Sequence, residues 1–261
     1  MITFDKIVKK LSKSEGKIFD MYDIGKIIDP DFSPDNKKNI NKVYKTIYLL
    51  KASGAIFPIK NSLFYINTKN VKLDENHVVD DNYWKILKKI ISTNIIGNCH
   101  IGGIKSLEIL LKDYSLPEEI VVYNKDLNKK WKISKKCSVT FKSIKSGAKS
   151  DNKNIFNKFF NFVENVEIEG INFKVAGKEL ALLDSLIIQS GDGINYYLIN
   201  KFLKKYHNSL NYDILSELVR LRYITSINRL RKMAQEGGYD ELYKKTLEII
   251  KNAGSGCFMS V

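Results

Sequence analysis

The sequence predicts a protein of the α+β class: a small N-terminal helical domain closed by a hairpin, a larger mixed α/β domain, and a helical end. Three observations predict this. Apolar residues recur at helical spacing up to about Ser53 and then give way to two short apolar runs. A strand-like stretch passes through glycines into a helix around Gly102. Beyond Gly193 the periodicity is helical throughout.

The first elements follow in order. Phe4, Ile7, Val8 and Leu11 mark a short amphipathic helix that ends near Gly16. Asp20 is placed to cap a second helix carrying Met21, Tyr22, Ile24 and Ile27. Ser33 or Asp35 would cap a third helix, with Pro34 in its first turn and Gly54 as its stop. Ile40, Val43, Tyr44, Ile47 and Leu50 form its expected inner face, and Lys38, Asn41, Lys42 and Lys45 its outer one. AIFPIKNSLFYI then spells two strands around the polar tip Lys60-Asn61-Ser62, with Pro58 marking an edge strand. Helices followed by a hairpin in this order are the layout of a winged helix-turn-helix over residues 1–70. Its third helix would enter the major groove and its hairpin would touch the neighbouring backbone. Asn41 is the residue able to pair with adenine. Lys38, Lys42, Lys45, Lys60 and Asn61 complete the expected DNA-binding set.

Charge points the same way. The 261 residues carry 43 Lys and Arg against 29 Asp and Glu, a net of +14. Most of the excess lies in residues 81–160, and arginine is confined to Arg220, Arg222, Arg229 and Arg231. Lysines give mobile point charges suited to phosphate rather than to base edges. A second basic surface is expected from Lys129, Lys130, Lys132, Lys135, Lys136, Lys142 and Lys145, interrupted by Trp131 and Phe141. An acidic protein partner would suit it equally. Three unpaired-looking cysteines, Cys99, Cys137 and Cys257, argue against a disulfide framework. No apolar run is long enough to span a membrane and no cleavage signal opens the chain, so the expected compartment is the cytoplasm.

A polar linker over about 68–80 is expected before a helix with Tyr83, Trp84, Ile86, Leu87, Ile90 and Ile91 on its apolar stripe. GNCHIGG, residues 97–103, then places Cys99 beside His100 between glycines. Adjacent side chains diverge, a metal needs more ligands than these two, and the spacing is not that of a phosphate loop. A close-packed turn feeding the helix of Leu107 is the better account, so no catalytic residue, metal or cofactor is expected. Glu119–Tyr123, Lys132–Ser134 and Ser138–Phe141 read as strands, and 166–175 as a hairpin around Glu169-Gly170. Lys178–Ile188 reads as a helix with Leu180, Leu183 and Ile187 on one face. Tyr196, Tyr197, Ile199, Phe202 and Leu203 are expected to pack the next helical segment. Further helices capped by Asn211, marked by Ile227 and starting at Leu242 close the domain, and 251–261 are expected to form a flexible tail. Glu167, Glu169, Lys174 and Asp184 supply the ingredients of a metal-dependent nuclease, the alternative reading, without diagnostic spacing. Glu179 and Asp184 are better placed for helix-cap or inter-element hydrogen bonds.

Three blocks resemble the AbiEi-type antitoxins of bacterial type IV toxin–antitoxin systems: SGAIFPIKNSLFYI, IIGNCHIGGIKSLEILLKDYSLPEEIVVYN, and INFKVAGKELALLDSLI with Glu179 and Asp184 in its Glu-Leu-Leu-Asp-like helix. The resemblance implies a winged helix-turn-helix that binds repeats in its own promoter and represses transcription. It also implies an antitoxin domain over 80–250, acting against a nucleotidyltransferase-like toxin without needing a stable complex. Neither domain would be an enzyme, and neither would need a cofactor.

Overall fold

The computed structural model describes residues 2–60, 62–144, 155–187 and 194–253. The architecture is α+β, with an N-terminal helical cluster and a C-terminal mixed α/β region. Contacts divide the chain into two units, residues 1–96 with 131–139, and residues 97–130 with 140–261.

In the first unit α1 spans Phe4–Ser12, β1 Ile18–Asp20, α2 Met21–Ile28, α3 Lys37–Ala52, β2 Ile56–Pro58 and β3 Leu63–Ile66. The amphipathic faces of the three helices meet: Ile7, Leu11, Ile24, Ile28, Val43, Ile47 and Leu50 are buried together with Phe32, Ile56 and Phe64. Asp20 caps α2 in a reciprocal capping box with Asp23, as its position before the apolar run predicts. The cap of α3 differs from expectation. Asn36 accepts from the backbone of Lys38 and Asn39, while Ser33, Pro34 and Asp35 lie ahead of the helix. Ser33 instead receives the N–H of Asp35 in a local turn. β1 pairs antiparallel with β3, and β3 with β2, so the order β1-β3-β2 leaves Pro58 on an edge. β1 was not expected, because a three-residue strand carries no periodicity of its own.

The stretch expected to be a linker contains a helix, α4 at Glu75–Asp81, capped by Asp74 and burying Val78 and Val79. α5 follows at Tyr83–Asn94, with Tyr83, Trp84, Ile86, Leu87 and Ile90 buried as the stripe predicts. Lys89 on α5 reaches Asp20 at 3.1 Å and Asp23 at 2.5 Å, and the Thr93 hydroxyl donates to Asp20 at 2.9 Å. The cap of α2 and the end of α5 are thereby tied together.

The larger sheet has β4 at Cys99–Gly102, β5 at Glu119–Asn124, β6 at Lys129–Lys132, β7 at Ser138–Ser143, β8 at Val163–Ile168 and β9 at Ile171–Ala176, in the order β6-β7-β5-β4-β9-β8. β4 is antiparallel to β5 and parallel to β9. β6 lies earlier than the expected strand Lys132–Ser134, because residues 133–137 turn back on themselves through Ile133 N–H to Cys137 C=O. β8 and β9 pair around Glu169-Gly170, both with positive φ (51° and 75°), the turn that matches strand twist.

The helices of the second unit are α6 at Gly103–Leu110, α7 at Ile155–Phe160, α8 at Lys178–Ser185, α9 at Tyr196–Tyr206, α10 at Tyr212–Leu218, α11 at Ile224–Glu236 and α12 at Asp240–Asn252. A π-helical turn, Val219–Tyr223, joins α10 to α11. Leu107, Leu180, Leu183, Ile199, Phe202, Leu215, Leu218, Ile227, Leu230 and Ile250 share one core. Asn211 caps α10 as expected. Three expectations fail here. α8 stops at Ser185 and leaves Ile187 exposed. Tyr196 and Tyr197 face solvent, because Leu198, Ile199, Phe202 and Leu203 already fill the inner face of α9. Lys251 and Asn252 belong to α12 rather than to a tail. Cys257 lies outside the described residues. Among the described residues no helix is long and apolar enough to cross a membrane.

Candidate functional site

The rotation of α3 is fixed by Val43, Ile47 and Leu50, which are buried. At 100° per residue this turns Lys38, Asn41, Lys42 and Lys45 outward on a common face, and all four are exposed. The three lysines make no ion pair among the described residues. Three further side chains share this side of the helix: Tyr44 at 56% exposure, Tyr48 at 72% and Leu49 at 52%. Tyr44 was expected inward. It stands about 100° round from Val43, at the margin of the buried arc, and its ring remains in water. Tyr48 and Leu49 were legible as the i+3 and i+4 neighbours of Lys45, had the outer face been followed to its end.

The hairpin β2–β3 stands beyond the C-terminal end of this helix. Its turn is closed by Ile59 N–H to Leu63 C=O at 2.8 Å and Leu63 N–H to Lys60 C=O at 3.4 Å. Ser62 takes a left-handed φ of 61° to make the bend. Lys60 is half-buried, less available than the lysines of α3, and Asn61 lies outside the described residues. The face of α3 can therefore offer point charges to phosphate, one amide to a base edge, and apolar ring and methyl surface to sugars or thymine methyls.

Of the second set of lysines, Lys129, Lys130 and Lys132 lie on β6 and Lys142 on β7, with Lys135 and Lys136 in the turn between the two strands. Lys132, Lys135 and Lys136 group with the first unit, and Lys129, Lys130 and Lys142 with the second. Lys145 lies outside the described residues. Lys129, Lys130, Lys132, Lys135 and Lys136 are exposed, and Lys142 is half-buried. Lys130 is already engaged, 3.1 Å from Glu119, which also accepts from the Thr140 hydroxyl.

GNCHIGG forms the expected strand-to-helix passage. His100 is buried at 2% exposure, stacked on Phe156 at 5.9 Å between ring centres and tilted against Tyr123 at 5.5 Å. Burial pushes its imidazole down to about 3, so it is neutral, and among the described residues its Nδ1 has no hydrogen-bond partner. Gly102 is a glycine because a Cβ there would meet the Tyr123 ring at 2.5 Å and Asp184 Oδ2 at 2.9 Å. Asp184 is buried on α8, accepts from the Tyr223 hydroxyl at the π-helical turn, and is bonded by the Gly103 backbone. Burial pushes its carboxyl up to about 7 against these bonds and the charge of Lys142. Glu179 accepts from Asn211 N–H at 2.7 Å. Both acids bond between elements, as expected of them.

The nuclease constellation is not assembled. Asp184 is in the core, while Glu167, Glu169 and Lys174 are exposed on the β8–β9 hairpin, with Lys174 Nζ 4.3 Å from the centre of the Phe160 ring. Among the described residues no group of three His, Cys, Asp or Glu could hold a metal ion. No protein-family model matches the chain, and no curated protein matches it.

Proposed function

We propose that the chain is a DNA-binding transcriptional repressor of its own operon and an antitoxin of the AbiEi type, counteracting a nucleotidyltransferase-like toxin without a catalytic site or cofactor of its own. The observation that carries the DNA-binding half is the outward face of α3, where Lys38, Asn41, Lys42 and Lys45 are exposed together. The order α1, β1, α2, α3, β2, β3 supports reading residues 1–70 as a winged helix-turn-helix. In that reading α3 enters the major groove, Asn41 reads adenine, the lysines hold phosphates, and Lys60 and Asn61 at the hairpin tip touch the adjacent backbone. The antitoxin half rests on the sequence blocks around GNCHIGG and KELALLDSL, whose structural roles, a close-packed strand-to-helix passage and a helix with two inter-element acids, fit a shared scaffold. Residues 80–250 would form that domain, in the cytoplasm.

The test is binding of the full chain to the duplex upstream of its own gene, against a scrambled duplex, at two salt concentrations. Selective binding that weakens in Lys42→Ala/Lys45→Ala supports the reading. Equal binding of both duplexes, or unchanged affinity in the double variant, rejects α3 as the reading element. Rescue of growth on co-expression with the neighbouring toxin tests the antitoxin half separately, and failure of rescue rejects it.

A further inference from the structure

The second unit holds a cleft that the repressor reading does not use. It has a volume of about 640 Å³ and lies between the outer face of α9 and the C-terminal end of α11. That volume is in the range of sites for small organic ligands. Tyr196 and Tyr197 form one wall, at 53% and 80% exposure. Met233 and Tyr239 are the apolar lining opposite. The rim is charged with both signs, Lys201 and Lys204 on α9 and Glu236 on α11. Tyr197, Lys201 and Lys204 sit at i, i+4 and i+7, so they share one helix face.

Two exposed tyrosines side by side need a reason. The inner face of α9 is filled by Leu198, Ile199, Phe202 and Leu203, so the fold gains nothing from the rings outside. A ring wall beside ammonium groups matches a planar base attached to a phosphate: bases stack on aromatic faces in a sequence-tolerant way, and lysines hold the phosphate. Neither Lys201 nor Lys204 makes an ion pair among the described residues. Lys204 lies two helical turns from Tyr197 on the same face and is assigned the phosphate. Glu236 is an acceptor only, and it suits the exocyclic amino group of a base across from the lysines.

We infer that this cleft binds a nucleotide whose base carries an amino group, stacked on Tyr196 and Tyr197, with its phosphate on Lys204 and its amino edge toward Glu236. The same chemistry is offered by a free nucleotide and by one nucleotide of a single strand.

The full-length chain is titrated with AMP, adenosine and UMP, and with a six-residue oligoadenylate, by calorimetry. Lys42→Ala/Lys45→Ala is used as background so that α3 does not contribute. AMP is expected to bind more tightly than adenosine and than UMP. Tyr197→Ala is expected to weaken AMP about tenfold or more. Lys204→Gln is expected to abolish the preference for AMP over adenosine, and Glu236→Ala, which removes the acceptor, to narrow the preference for AMP over UMP. All three side chains are at the surface, and an unchanged melting temperature will show that the variants fold. Tighter binding of the oligonucleotide than of AMP, lost in Tyr197→Ala, assigns the site to a single strand; equal binding assigns it to the free nucleotide. No binding of any probe at millimolar concentration, or affinities unaltered in Tyr197→Ala and Lys204→Gln, overturns the inference. A failure here leaves duplex binding by α3 untouched.

Discussion

At the scale of single residues, Asp184 and His100 act on stability in opposite senses. Asp184 is held at about 7, whereas an unfolded aspartate titrates near ~3.9. Between these values the folded chain keeps a proton that the unfolded chain has released. Stability therefore falls as pH rises through that window, by about 1.4 kcal/mol per pH unit. His100 is held at about 3, against ~6.5 when unfolded. There the unfolded chain holds the extra proton, and stability rises with pH at a similar rate. The two windows overlap from about 4 to 6.5, where the slopes cancel. Asp184→Asn is expected to uncover a stability that climbs across this interval, and His100→Gln one that declines. Urea melts of both variants at pH 4.5 and 6 check the signs, and flat profiles in both would refute them. Gly102→Ala, which drives a methyl onto Tyr123 and Asp184, is expected to cost about 1–3 kcal/mol in the same melts.

At the scale of elements, the caps decide where helices begin. Asn36→Ala should cost about 1 kcal/mol by removing the acceptor for the first turn of α3, while Asp35→Ala should change little. Equal losses in thermal melts would return the cap to Asp35. Lys89→Met should loosen the junction of α2 and α5, since it strips Asp20 and Asp23 of their shared cation. Burial raises the Asp20 carboxyl, but its bonds to Asp23 N–H, Lys89 and Thr93 outweigh that and leave it lowered. Its contribution is accordingly present above the ordinary carboxylate pKa and lost on acidification. In Lys89→Met that acid-side loss should shrink, which amide exchange of α2 at two pH values would read. The elements with strong periodicity were legible in the sequence: α1, α2, α5, the β2–β3 hairpin and the β8–β9 hairpin. β1 and α4 were not, because three or seven residues carry too little pattern. The side chains of Tyr44, Tyr196 and Tyr197 were misplaced because an aromatic residue at the margin of an apolar arc is compatible with either side. At the candidate site, Lys38, Asn41, Lys42 and Lys45 were readable because spacing alone sets their face. The cleft beside α9 was not, since its two walls are separated by some thirty residues of chain.

For the whole molecule, charge is the property that sets behaviour in solution. Binding to duplex through phosphate releases counterions, with a logarithmic salt slope near 0.9 per contact. Lys42→Ala/Lys45→Ala is expected to lower the slope of the full chain by about 2. An undiminished slope would move the contacts elsewhere, Lys129 and Lys132 being the next to test. The six-stranded sheet adds a consequence of another kind. Its two outer strands carry opposite signs: β6 exposes Lys129, Lys130 and Lys132, and β8 exposes Glu164 and Glu167. Open strand edges invite pairing between copies of a chain. Here two molecules that meet by the same edge repel, lysine against lysine or glutamate against glutamate, so the symmetric edge-to-edge dimer is disfavoured at either end. The same charges attract when β6 of one copy meets β8 of another, so the pattern selects against the symmetric pairing alone.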